Sequence, residues 1–191
     1  MKILHLSDLH IGKIIYEQSL LEDQEYMLKQ IEKIIEKEKI EAVLISGDIY
    51  DRSIPPADAV EVLDKFLNNL IKILKVKVFI ISGNHDSKER LNFGSKIFEN
   101  DGLYIQTTYN GRIRKVELDE KINMLPFIKP IEVKQYFENE KIETYNDAIK
   151  NIIENEKLDK TKINILMAHQ FVTSGTTNPE TCESETINVG G

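Results

Sequence analysis

The sequence predicts an α/β fold built on parallel strands, and three observations carry this reading. Short apolar runs stop at turn residues in segments 2–6, 42–46 and 76–82. Long helix-forming segments, 18–39 and 57–74, separate those runs. Strand, helix, strand, helix, strand in that order implies βαβ units with right-handed crossovers.

The run 2–6 is apolar up to Ser7-Asp8 and reads as a buried strand. In segment 18–39, Leu21, Leu28, Ile31, Ile34 and Ile35 recur near a 3.6-residue period, which predicts a helix. The runs 42–46 and 76–82 are buried strands stopped by Gly47 and Gly83. The helix 57–74 is opened by Pro55-Pro56. It carries two apolar stripes: Val60, Leu63, Leu67, Leu70 and Leu74 on one, Val62, Phe66 and Ile73 on the other. One stripe can cover the sheet; the other needs a second layer of the same chain or a second subunit.

From Leu103 the elements shorten. Segments 103–106, 112–118 and 121–127 read as strands, with a turn at Tyr109-Asn110-Gly111 and a hairpin link at Asp119-Glu120. Pro126 and Pro130 bracket a loop, segments 136–140 and 145–157 read as exposed charged helices, and 162–168 is a further buried strand. After Phe171 the chain is polar and reads as loop. Compact domains rarely end on such a stretch straight after a core strand, so the expectation is a C-terminally incomplete domain.

Composition narrows the function. The 191 residues suit one domain, and 41% hydrophobic with 30% charged residues is ordinary for a folded soluble chain. No apolar run approaches the ~20 residues of a membrane span. The start, MKILHLSDLH, does not have the pattern of a signal peptide. The single cysteine, Cys182, excludes an internal disulfide framework and fits a reducing, cytoplasmic setting. A net charge of −7 argues against binding nucleic acid through bulk positive charge.

The chemistry sits at the strand ends, where function collects in open α/β sheets. The first strand leads into Asp8-Leu9-His10, the second into Gly47-Asp48 with Asp51 beyond, the third into Gly83-Asn84-His85-Asp86, and the last into His169. All four are expected on one edge of one sheet. Carboxylate, carboxamide and imidazole together suit manganese, iron or zinc better than calcium, and the absence of thiolates argues against a structural zinc site. Two dications ~3.5–4 Å apart need a shared carboxylate. Asp48 is the natural bridge, Asp8 and His10 can serve one ion, and Asn84 and His169 the other. Such a pair activates solvent to attack phosphorus. His85 could steady the transition state or protonate the leaving oxygen. Asp51 could orient His85, Arg52 could contact phosphate, and His5, inside the first strand, reads as a core or supporting residue.

These residues resemble the calcineurin-like metallophosphoesterase signature: D-x-H as Asp8-Leu9-His10, G-D-x-x-D as Gly47 to Asp51, and G-N-H-D as Gly83 to Asp86. The segments ILHLSDLHIGK, SGDIYDRSIPP, ISGNHDS, MLPFIKP and MAHQFVTSG are similar to SbcD-like nuclease subunits of bacterial DNA-end-processing complexes. The resemblance spans essentially the whole chain. It implies a layered core of β-sheets flanked by helices (αββα), two manganese ions, and action on double-stranded DNA ends and hairpins in recombination and repair. It also implies an SbcC-like ATPase partner and a homodimer packed through helices near 57–74. SbcD-like proteins continue into a G-H-x-H motif that completes the metal site, a capping domain and a partner-binding C-terminal segment. Residues 1–191 contain none of these, so they are expected to form a truncated nuclease domain that holds metal incompletely. Asp51 stands where break-repair relatives often carry a His, as in the bacterial branch. The alternatives are a small-substrate phosphodiesterase or phosphatase and, for this stretch alone, a catalytically incomplete scaffold.

Overall fold

A computed structural model describes residues 1–137 and 141–173. Its core is two sheets packed face to face. The 4-stranded sheet has the order β1-β4-β5-β6, where β1 is Ile3–Leu6, β4 Ala42–Ser46, β5 Lys77–Ile81 and β6 Leu103–Gln106. All its pairings are parallel. The 3-stranded sheet has the order β7-β8-β9, with β7 Arg114–Glu117, β8 Lys121–Leu125 and β9 Asn164–Ala168. β7 and β8 form the expected hairpin, and β9 runs parallel to β8.

Strand alternation sorts the side chains into layers. Ala42, Leu44, Phe79 and Ile81 of the first sheet meet Ile122, Met124 and Met167 of the second. On the first sheet's other face, Val43, Ile45, Val78 and Ile80 meet α1 (Leu21–Glu38) and α2 (Ala57–Asn68) through Leu28, Ile35, Val62, Leu63 and Phe66. On the second sheet's outer face, Leu125 packs with Val133 of α5 (Pro130–Lys134) and with Ala148 and Ile152 of α6 (Tyr145–Asn155). The layers are therefore helix, sheet, sheet, helix, as expected.

Several local expectations are corrected. Gln18–Ser19 (β3) pairs antiparallel with Ile14–Ile15 (β2), so the first helix begins only at Leu21. Tyr109-Asn110-Gly111 does not close a hairpin, because β6 and β7 belong to different sheets. Pro130 opens α5 rather than closing a loop: it stands at the start of the helix, where its missing N–H costs nothing. Residues 136–137 follow that helix, and 138–140 lie outside the described residues. Short helices α3 (Lys88–Leu91) and α4 (Ser95–Phe98), absent from the sequence reading, precede β6.

The two stripes of the 57–74 segment divide differently from expectation. Val62, Leu63, Phe66 and Leu70 are buried together, while Val60 and Ile73 stay 43% and 71% exposed. A π-helical turn, Asn69–Ile73, ends the segment and shifts its phase by one residue. His5 is exposed rather than in the core, with Nε2 2.9 Å from Ser46 Oγ. Its strand is the sheet edge, whereas contact between the sheets runs from β4 to β9 and from β5 to β8. No helix among the described residues is long and apolar enough to cross a membrane. Cys182 and the tail 174–191, including the predicted approach to a further strand, lie outside the described residues.

Candidate metal centre

The loops leaving β1 and β4 are stitched to each other. Asp8 N donates to Gly47 O (3.1 Å), His10 N to Asp48 O (3.0 Å) and Ile11 N to Ile49 O (2.9 Å). Asp8, His10 and Asp48 all adopt left-handed backbone conformations, with φ of 56°, 44° and 49°. Non-glycine residues pay for that geometry and hold it only where surrounding bonds enforce it. Here it turns three donor side chains inward from consecutive strand ends.

Asp48 is the hub. It is 3% exposed, and His85 N donates to its Oδ1 at 2.9 Å. Its Oδ2 faces three imidazoles: His169 Nε2 at 3.6 Å, His10 Nε2 at 3.8 Å and His85 Nε2 at 3.9 Å. Two donor groups share it. His10, Asp48 and His85 bring ligand atoms within 4.8 Å of one another, and so do Asp8, Asp48 and His169. Asn84 joins the second group, its Oδ1 3.1 Å from His169 Nε2.

One sequence expectation needs correction at this point. The donors do not come from one sheet: His169 follows β9 and reaches Asp48 from the second sheet. The rim is continuous because β9 faces β4 across the core and ends beside it. His169 Nδ1 lies 2.7 Å from Ser46 O, so it carries the proton and points Nε2 at Asn84 and Asp48.

Asp51 is also placed differently. Its main-chain carbonyl, not its carboxylate, lies 3.1 Å from His85 Nδ1. The carboxylate sits 3.8 Å from His10 Nδ1 and 3.7 Å from Arg52 Nε. The Arg52 side chain is 64% exposed on the rim.

The donor set fits divalent cations. Burial works against charge on His169, yet the Asp48 carboxylate outweighs it and raises the imidazole to about 9. Burial would likewise raise Asp48, but the His169 imidazole and the His85 amide hold its carboxyl below the ordinary value. Asp8 is held low by the His10 imidazole beside it, and His10 is raised by Asp8 in turn. Lone pairs of Asn84, Asp48 and His169 converge on one point, and His10 Nδ1 is buried without a hydrogen-bond partner. Convergent acceptors of this kind call for a cation between them. Carboxylate, amide and imidazole donors suit manganese, iron or zinc.

Two supporting features escaped the sequence reading. Asp86 is 8% exposed and accepts from Ile49 N (3.0 Å), Tyr50 N (3.1 Å) and Gly83 N (2.9 Å), clamping the loops after β4 and β5. Its burial against an Asn-His-Asp string carried no periodic signal. Phe127, 5% exposed, sets its ring 6.4 Å from that of His169 in an edge-on arrangement.

Two facing sheets between helices, with acid, amide and imidazole donors gathered at the strand ends, define a metal-dependent phosphoesterase. The chain belongs to the calcineurin-like phosphoesterase family, which it matches over residues 1–188. It is 41% identical over 181 residues to the SbcD subunit of the SbcCD nuclease of Staphylococcus epidermidis, an alignment covering 93% of this chain and 48% of that relative. The chain thus spans about half the length of the curated relative it matches.

Proposed function

We propose that this chain forms the metal-holding part of a DNA nuclease subunit that hydrolyses phosphodiesters with two divalent cations, manganese in the first instance. The observation that carries this is Asp48, one buried carboxylate shared by two donor groups. Asp8 and His10 would hold one ion, and Asn84 and His169 the other. Bound cations would supply a solvent nucleophile at neutral pH and screen the phosphate charge. The chain's own residues do the rest. The Asp51 carbonyl orients His85 through Nδ1 and leaves Nε2 facing the site, from which the imidazolium can donate a proton to the leaving oxygen. Arg52, exposed at the rim, is available to a phosphate oxygen.

Double-stranded DNA ends and hairpins as substrate, an SbcC-type ATPase as partner and a cytoplasmic setting follow from the likeness to the S. epidermidis nuclease subunit. Residues 1–191 as part of a nuclease domain, without its capping domain and partner-binding segment, agree with the 48% coverage of that relative. Homodimerisation through the 57–74 region is supported by exposed Val60 and Ile73 on a helix already buried on its other side.

The test is hydrolysis by the intact protein with manganese, offered a linear DNA duplex and a small phosphodiester, with Asp48→Asn alongside. Degradation of the duplex by the unmutated protein alone is expected. Hydrolysis of the small ester with the duplex left intact would move the reading to a small-substrate phosphodiesterase. No metal-dependent turnover of either would leave a scaffold.

A further inference from the structure

The apolar face of α1 has one polar break. Leu21, Leu28, Ile31 and Ile35 pack toward the first sheet's core, and Gln24 stands on the same face, one turn before Leu28. A half-buried polar side chain there must find partners. Gln24 finds all of them on the loop that carries His10. Its Nε2 donates to Leu9 O (3.1 Å) and to His10 O (2.8 Å), and its Oε1 accepts from Gly12 N (2.9 Å).

Leu9 O and His10 O belong to the peptide units on either side of His10. That residue is in the left-handed region, with φ 44°, which an imidazole-bearing residue does not adopt without restraint. We infer that Gln24 is a positioning residue for the candidate metal centre: its carboxamide pins both peptide planes around His10 and so sets the direction of the imidazole. This rests on the reading of His10 as a metal-holding residue. The bonding pattern selects a carboxamide. A carboxylate could accept from Gly12 but would turn lone pairs on the two carbonyls, and a thioether could make none of the three bonds.

The test measures manganese affinity calorimetrically in the intact protein for Gln24→Glu, Gln24→Met, Leu28→Ala and His10→Ala, with metal-free thermal unfolding of each as a check on folding. Both Gln24 variants are expected to bind manganese roughly tenfold or more weakly, in the range of outer-shell ligand supports. Leu28→Ala, on the same helix face, is expected to unfold at lower temperature yet bind as the unmutated protein does. If the Gln24 variants bind normally while His10→Ala does not, the inference is overturned and the metal centre stands. If Leu28→Ala loses affinity equally, the effect is one of stability and the inference is overturned as well. If His10→Ala itself binds normally, the reading of the site has failed, and the inference falls with it. The unmutated protein supplies a further check: the Gly12 amide should exchange slowly with solvent, and fast exchange overturns the clamp without any variant.

Discussion

Gly83 and Asp48 compete for one space. A Cβ built on Gly83 would overlap the Asp48 carboxylate, with Asp48 Cγ only 2.8 Å away. The glycine of the strand end after β5 is therefore what lets the buried acid sit between the donor groups. Gly83→Ala should displace Asp48, weaken manganese binding and cost about 1–3 kcal/mol of stability through overpacking. Calorimetric metal titration and denaturant unfolding check both halves. Gly47→Ala should behave alike, since its φ is 88° and its Cβ would lie 2.5 Å from His169 Nδ1.

Asp48→Asn keeps the shape and removes the shared charge. Affinity for manganese should fall by more than about 100-fold, beyond what outer-shell changes cost. Equilibrium dialysis with metal analysis measures it. Near-normal binding would show that Asp48 does not bridge the two groups.

His85→Leu should keep its metal and lose about 10²- to 10⁴-fold in turnover, the span of a missing general acid. Parallel metal analysis and hydrolysis assays separate the two effects. Loss of metal in this variant would assign His85 to the ligands, beside His10 and Asp48, with which its imidazole already groups.

Asp86→Ala would leave the amides of Ile49, Tyr50 and Gly83 without their acceptor. Unpaired buried amides cost about 1–3 kcal/mol each, so unfolding should become easier by roughly 3 kcal/mol or more. Asp86→Asn, which retains an accepting oxygen, should lose less. Chemical denaturation of both variants decides this.

Acid should act through carboxylates remote from the centre. Asp159 is held at about 2 by the Thr161 hydroxyl and amide and by Lys121. A depressed carboxyl stabilises the fold above its ordinary value of 3.8, and that contribution fades as pH falls toward 2. The thermal midpoint of the unmutated protein should therefore drop more steeply between about pH 4 and pH 2 than that of Asp159→Asn. Parallel slopes would show that Asp159 has no such role.

The sequence by itself determined the donors and the layers that present them. Asp8, His10, Asp48, Asn84, His85 and His169 were legible because each follows an apolar run that can only be a buried strand, and βαβ order sends parallel strand ends to one side. Tertiary structure alone decided how they meet. His169 arrives from the second sheet, a pairing that strand order cannot state because β7 to β9 could equally have extended the first sheet. Asp51 turned its carbonyl, not its carboxylate, toward His85. Gln24 and Asp86 became clamps through bonds to main-chain groups, which leave no periodic mark. Side-chain type and spacing report which atoms are available; only the packing of one sheet on the other reports which of them share a cation.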